Sequence, residues 1–295
     1  MGKIATFDLP LDRVFVLGKL EPSQYTFWQV LTEPATETIR LPAKNNPFLK
    51  KVVDSINHDQ EILTLWKIAN VNAIDRLGFT DHGPVHIQIV TNIALRLHRI
   101  LMKHNVEMSI IKDYQLSAHH SELVVVVASL FHDLGMSIHR SNHEEYSLFL
   151  ANNLTHKLLE FLPQPERTIV ISEILHAIIS HRHAGHPFTM EGSIVRVADA
   201  LDMSSGRSRI PFTQGKVDIH SLSALAIEKV EIKEGKDKPI EISVFMSNSA
   251  GIFQVDELLK EKLIDSPIEQ YMRVKAYIKR KTEKKLITEF AIKEK

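Results

Sequence analysis

The stretch V-V-V-V-A-S-L-F-H-D-L-G, residues Val124 to Gly135, decides the reading of this chain. An unbroken apolar run ends in an adjacent imidazole and carboxylate, His132 and Asp133. The run predicts a buried helix over about Ser121 to Leu134. Burying both polar groups is costly unless they are paired or hold a cation. A neutral imidazole and an anionic carboxylate are ordinary ligands of a divalent metal. A second His-Asp pair, His58-Asp59, lacks this context. It sits among polar residues, where Asn57 or Asp59 reads as the cap of a following helix.

Two neighbouring segments offer further ligands. Upstream, F-T-D-H-G-P-V-H carries His82 and His86. With Pro84 as the first helical residue, His86 falls in the first turn and His82 just before it. Both can face one pocket at the helix mouth. In isolation they read more readily as surface groups behind an Asp81 cap. Downstream, V-R-V-A-D-A-L-D places Asp199 after an apolar helical stretch, with Asp202 on the same face. A carboxylate at the C-terminal end of a helix is disfavoured by the dipole, so Asp199 needs a partner.

The pattern around these segments is mainly helical. Helices are expected from Pro47, over 59–77, from Pro84 to about Lys103, over about 142–162, over 166–180 and over 190–203. Gly78 is expected to end the second of them. Residues 1–46 read as an arm of short strands and turns broken by Pro10, Pro22, Pro34 and Pro42. After Pro211 the period changes to two in A-I-E-K-V-E-I-K and I-E-I-S-V-F-M-S. A helical segment and two more strands follow. The expected organisation is therefore an arm (1–46), a helical domain (47–213) and a small α+β domain (214–295).

Composition narrows the functional classes. Lys+Arg and Asp+Glu are both 36, so net charge gives no pull toward nucleic acid or a membrane surface. The longest apolar run is too short to span a bilayer, and the N-terminus lacks the apolar core of a leader. The chain has no cysteine, which removes thiolate ligands and nucleophiles and fits a cytoplasmic location. The anomaly is its 16 histidines, most of them between His82 and His183. The charges of K-A-Y-I-K-R-K-T-E-K-K read as the wet face of a hairpin.

Taken in order, His86, His132-Asp133 and Asp199 make the chain resemble the HD-domain superfamily of metal-dependent phosphohydrolases. The resemblance covers roughly residues 60–213 and rests on A-S-L-F-H-D-L-G and V-R-V-A-D-A-L-D. It implies an all-helical core in which His86, His132, Asp133 and Asp199 hold a divalent metal. His86 is favoured over His82 because Val90 follows it at the family's spacing. His82 then takes proton transfer or phosphate contact, as in the distantly related cyclic-nucleotide phosphodiesterases, although the residues leave the reverse assignment open. The subgroup named for HD and Gly-Tyr-Pro adds further histidines. His143 and His181 stand in suitable places here for a second metal, with Asp133 able to bridge. The Gly-Tyr-Pro element itself is absent, so cyclic di-nucleotide hydrolysis is not implied.

Substrate contacts are expected from Arg207, Arg209 and His176, since guanidinium suits phosphate through its bidentate fork. The ligand set does not choose among Mn, Fe, Co, Ni, Zn and Mg, and one or two ions per chain are compatible with it. The expected activity is hydrolysis of a phosphoester by metal-activated water, with a nucleotide or related small phosphate compound as substrate. A non-catalytic sensor or interaction module and a diiron oxygenase are the competing readings. A homodimer is expected on base rates, with neither nucleic acid nor membrane as partner.

Overall fold

A computed structural model describes residues 38–203, 223–278 and 289–291, and these lie in one compact unit over 37–295. Most of the expected arm, the boundary near residue 213, and both Arg207 and Arg209 lie outside the described residues.

In the described part of the expected arm that precedes the first helix, residues 38–42 have no regular secondary structure. The backbone groups of Ile39 and Arg40 are satisfied by two side chains, Asn57 and Gln88, instead of a neighbouring strand. The Ile39 amide donates to Asn57 Oδ1 at 2.7 Å, and Asn57 Nδ2 donates back to the Ile39 carbonyl at 3.0 Å. Helix α1 (Pro47–Ile56) starts at an Asn46 cap that accepts from Phe48 N and Leu49 N. It buries Leu49, Val52, Val53 and Ile56, the spacing of one helical face. Helix α2 (Gln60–Asn70) is capped by Asp59, so the discounted His-Asp pair opens a helix, with His58 Nδ1 on the Asp54 carbonyl at 2.7 Å. A π-helical turn, Val71–Arg76, continues α2. There Asn72 Nδ2 donates to the carbonyls of Met136 and Ser137 at 2.8 and 3.0 Å. Gly78, at φ 62°, ends the element in a conformation that favours glycine.

Five further long helices follow: α3 (Pro84–Lys103), α5 (Ala118–Phe131), α6 (His143–Leu158), α7 (Gln164–Ser180) and α8 (Met190–Leu201). Between α3 and α5 lies a short helix, α4 (Ser109–Tyr114), which periodicity does not reveal. It depends on a distant residue, because Glu191 of α8 accepts from Ser109 N and Ile110 N. The apolar helix α5 sits at the centre, packed by α1, α3, α7 and α8, and every residue from His120 to Phe131 is buried.

Helix α5 begins and ends three residues earlier than expected. Ser117 and His120 form a reciprocal cap at its start. At its end the chain leaves the helix so that α6 can pass. A Cβ on Gly135 would stand 1.9 Å from the His143 carbonyl oxygen. Residues Leu134–Ser137 form a short tight helical turn instead. His132 and Asp133 therefore stand just past the C-terminus of α5, where the dipole disfavours an isolated carboxylate.

The small C-terminal unit is a four-stranded sheet in the order β1-β2-β3-β4. Strands β1 (Ile227–Glu234) and β2 (Ile240–Met246) form the expected hairpin, antiparallel with Val230 opposite Val244. Strand β3 (Met272–Ile278) pairs parallel to β2, which requires a crossover. The helical segment Gln254–Lys260 with Glu261–Leu263 supplies it. Strand β4 (Glu289–Ala291) closes the far edge. Val230, Ile232, Ile242, Val244 and Val274 share one hydrophobic core with Val90, Leu97, Leu101, Val197 and Leu201 of α3 and α8. One sheet face is thus buried on the helical part of the same chain. Among the described residues, no helix is long and apolar enough to cross a membrane.

Candidate metal centre

The helix ends meet at a cluster of buried imidazoles and carboxylates. His86, in the first turn of α3, is 1% exposed, and His132 is fully buried. Their Nε2 atoms are 3.2 Å apart. Asp133 Oδ2 lies 3.3 Å from each of them. Asp199 Oδ1, from the last turn of α8, lies 3.5 Å from His86 Nε2 and 3.9 Å from His132 Nε2. A cation bonded at about 2.1 Å to each donor needs donor separations of roughly 3.0–3.4 Å. The four atoms are close to that spacing, and the donor chemistry of two imidazoles and two carboxylates fits a borderline or hard divalent ion.

The other oxygen of Asp133 faces a second group. Oδ1 lies 3.1 Å from His143 Nε2 and 3.7 Å from His181 Nε2. His143 opens α6, and His181 stands at the end of α7. Three ligand-like groups result: His86 with His132 and Asp199; His132 with Asp133 and His181; and His143 with Glu144 and His181. Asp133 is thus placed between two sets of histidines, one for each carboxylate oxygen.

Each histidine of the cluster is oriented through its other nitrogen. His86 Nδ1 donates to Asp202 Oδ2 at 2.6 Å. His132 Nδ1 donates to the Ser129 carbonyl at 2.7 Å, and His181 Nδ1 to the Ile178 carbonyl at 2.6 Å. His143 Nδ1 lies 3.0 Å from the Arg140 carbonyl. For His86, His132 and His181 these contacts favour the tautomer that turns the Nε2 lone pair inward, the usual arrangement behind a metal-ligating imidazole, whereas His143 Nδ1 also lies 2.9 Å from the donor Arg140 Nη1. Ser147 helps to hold the dipeptide, its hydroxyl donating to the His132 carbonyl at 2.6 Å while accepting from Gly135 N at 2.8 Å.

Electrostatics point the same way. Burial pushes the Asp133 carboxyl up, but the surrounding His132, His143 and His181 hold it well below its ordinary value. Burial likewise raises Asp199, and Lys262, His132, His86 and His181 overcome it. Both carboxylates are anionic at neutral pH. Burial lowers the His181 pKa, which favours the neutral, ligating imidazole. His143 is raised, since Asp133 outweighs its burial.

His82 is drawn to the rim of this cluster, its ring centroid 5.7 Å from that of His86. Its Nδ1 lies 2.7 Å from the Thr80 carbonyl. Asp81 takes the capping role, its Oδ1 accepting from Gly83 N and His86 N. His176 is not brought to the cluster. Its ring stacks on Phe188 at 4.9 Å, and its Nε2 accepts from Phe188 N at 3.0 Å.

Two contributors, Glu144 and Lys262, escaped the sequence reading, as did the role of a third. Asp202 was placed on the face of Asp199, but its bond to His86 depends on how α3 meets α8. Glu144 follows His143 directly, so the dipeptide was a visible signal. Lys262 had no signal. It pairs with Asp199 Oδ2 from the crossover of the C-terminal sheet.

The sequence model of a family described as HD domain matches residues 86–204, a span that begins at His86 and closes just after Asp202. An uncharacterised protein of Methanocaldococcus jannaschii is 40% identical over 244 residues, which span 82% of this chain and 93% of that protein.

Proposed function

The chain belongs to the HD-domain family, whose members are metal-dependent phosphohydrolases, and from that premise we propose that it hydrolyses a phosphoester bond of a nucleotide or related small phosphate compound. The observation that carries the reading is the placement of Asp133, one oxygen toward His86 and His132 and the other toward His143 and His181.

In this proposal His86, His132, Asp133 and Asp199 would hold one divalent ion, and His143 and His181, together with Asp133, would hold a second. Such ions supply Lewis acidity toward a phosphoryl oxygen and toward water. The protein's own groups do the rest. Asp202 and the carbonyls of Ser129 and Ile178 keep the imidazoles aimed. His82, with its Nδ1–H held by the Thr80 carbonyl, would in its imidazolium form pass the Nε2 proton to the leaving oxygen and be left neutral. Burial of His132 and Asp133 keeps bulk water from the ligands. Arg207 and Arg209 are proposed phosphate contacts in the segment after α8.

A two-fold homodimer in the cytoplasm belongs to the same proposal. It rests on base rates and on an apolar pair on the outer face of α3, Val85 and Ile89, 53% and 38% exposed.

The test is phosphate release from a panel of nucleotides and phosphomonoesters, using protein stripped of metal and then reloaded with each candidate ion. Release that depends on the ion supports the reading. Protein that takes up metal yet releases phosphate from no substrate would favour the non-catalytic module.

A further inference from the structure

Lys262 is an unexpected member of the cluster. It lies outside the segment matched by the family, on the crossover between β2 and β3. Its ammonium contacts Asp199 Oδ2, while Oδ1 of the same carboxylate faces His86 and His132. Both side chains are largely shielded, 16% and 15% exposed.

The placement of Lys262 is enforced by its neighbours. Arg196, 2% exposed on α8, donates through Nη2 to the carbonyls of His183 and Glu261 at 2.8 and 3.3 Å. The Glu261 carboxylate meets His183 Nδ1 at 2.8 Å. The crossover is thereby tied both to α8 and to the loop that follows His181. A flexible surface lysine needs no such ties.

Charge balance says what the ammonium is for. Once divalent ions sit among Asp133 and Asp199, the carboxylates are neutralised, and an added ammonium beside them is repelled. An anion arriving at the same place removes that penalty. An ammonium has three donors, of which Asp199 Oδ2 takes one. The others can reach an oxyanion seated against the ions.

We propose that Lys262 is a phosphate-anchoring residue, contributed by the C-terminal unit to the metal centre and completing its binding site for the phosphoryl group of substrate. The inference rests on the phosphohydrolase reading above. It makes the C-terminal unit part of the active site, although every metal ligand lies before residue 200.

The test compares full-length wild type with Lys262→Met and Lys262→Arg, each loaded with manganese and titrated with inorganic phosphate by calorimetry. Manganese affinity is measured separately. Lys262→Met is expected to bind manganese as well as wild type or better, since a repelling charge is gone. It should bind phosphate about ten- to a hundred-fold more weakly, the size of a lost charge-assisted hydrogen bond. Lys262→Arg should recover much of the phosphate affinity. Where the methionine variant does not fold, Lys262→Gln, of similar length and uncharged, takes its place with the same expectation. Unchanged phosphate affinity in the uncharged variant would overturn the anchor and leave the metal centre standing. Wild type that holds manganese but takes up no phosphate would overturn it too. Wild type that holds no metal would overturn the phosphohydrolase reading and the anchor with it.

Discussion

Asp202 Oδ2 lies 2.6 Å from His86 Nδ1, joining the end of α8 to the first turn of α3. The contact fixes which nitrogen of His86 carries its hydrogen and aims Nε2 at Asp133 and Asp199. Outer partners of this kind commonly contribute 10–100-fold to metal affinity or activity.

Asp202→Ala should therefore keep the fold and weaken metal binding by about 10–100-fold. Competition with a fluorescent chelator reads this directly. An affinity equal to wild type would mean that His86 needs no orienting partner.

His82 and His86 should separate by role. His86→Ala is expected to lose metal and activity together. His82→Ala should retain the metal and lose about 10²–10⁴-fold in rate, the usual size of a general-acid effect. Metal loss in the His82 variant with retention in the His86 variant would exchange the two roles.

Much of the candidate metal centre is legible along the chain because burial makes polar residues conspicuous. His132 and Asp133 end an apolar run, and Asp199 follows the largely apolar stretch of a helix. Each therefore demanded a partner. His143 and His181 could be placed only through a family resemblance, since nothing in their own surroundings separates them from His139 or His176. Helix existence was readable from period and caps, as Pro47, Asp59 and Pro84 illustrate. The early end of α5 was not, because it comes from the approach of α6 to Gly135. The short helix α4 stayed hidden for the same reason, its amides being satisfied by Glu191 more than seventy residues away. Lys262 marks the limit: a lysine on an amphipathic segment reads as solvated until the tertiary fold brings it to Asp199.

Gly135 provides a test of how α6 is seated. An added methyl would meet the His143 carbonyl at 1.9 Å and Ser147 N at 2.6 Å, both backbone atoms that cannot move aside cheaply. Gly135→Ala should lower the melting temperature markedly and displace His143, reducing metal content even in folded protein. A stable variant with full metal content would contradict the close packing described.

Glu173 on α7 sets a pH dependence away from the metal centre. Burial, then the charge of Glu191, raise its pKa from 4.5 to about 7. Between those values the folded chain keeps a proton that the unfolded chain has released. Stability from this group is thus full below about pH 4.5 and falls until about pH 7. Glu173→Gln removes that slope and should gain on wild type by on the order of 1–3 kcal/mol across the window. Urea unfolding at several pH values measures it, and parallel curves for the two proteins would refute the assignment.

The central claim is that Asp133 joins two sets of metal ligands, and metal content tests it most directly. Protein purified without chelator is analysed by plasma mass spectrometry, with folding checked by circular dichroism. Wild type is expected to hold bound transition metal, His143→Ala to hold less, and Asp133→Ala to hold none while remaining folded. Full metal occupancy in folded Asp133→Ala would contradict the account.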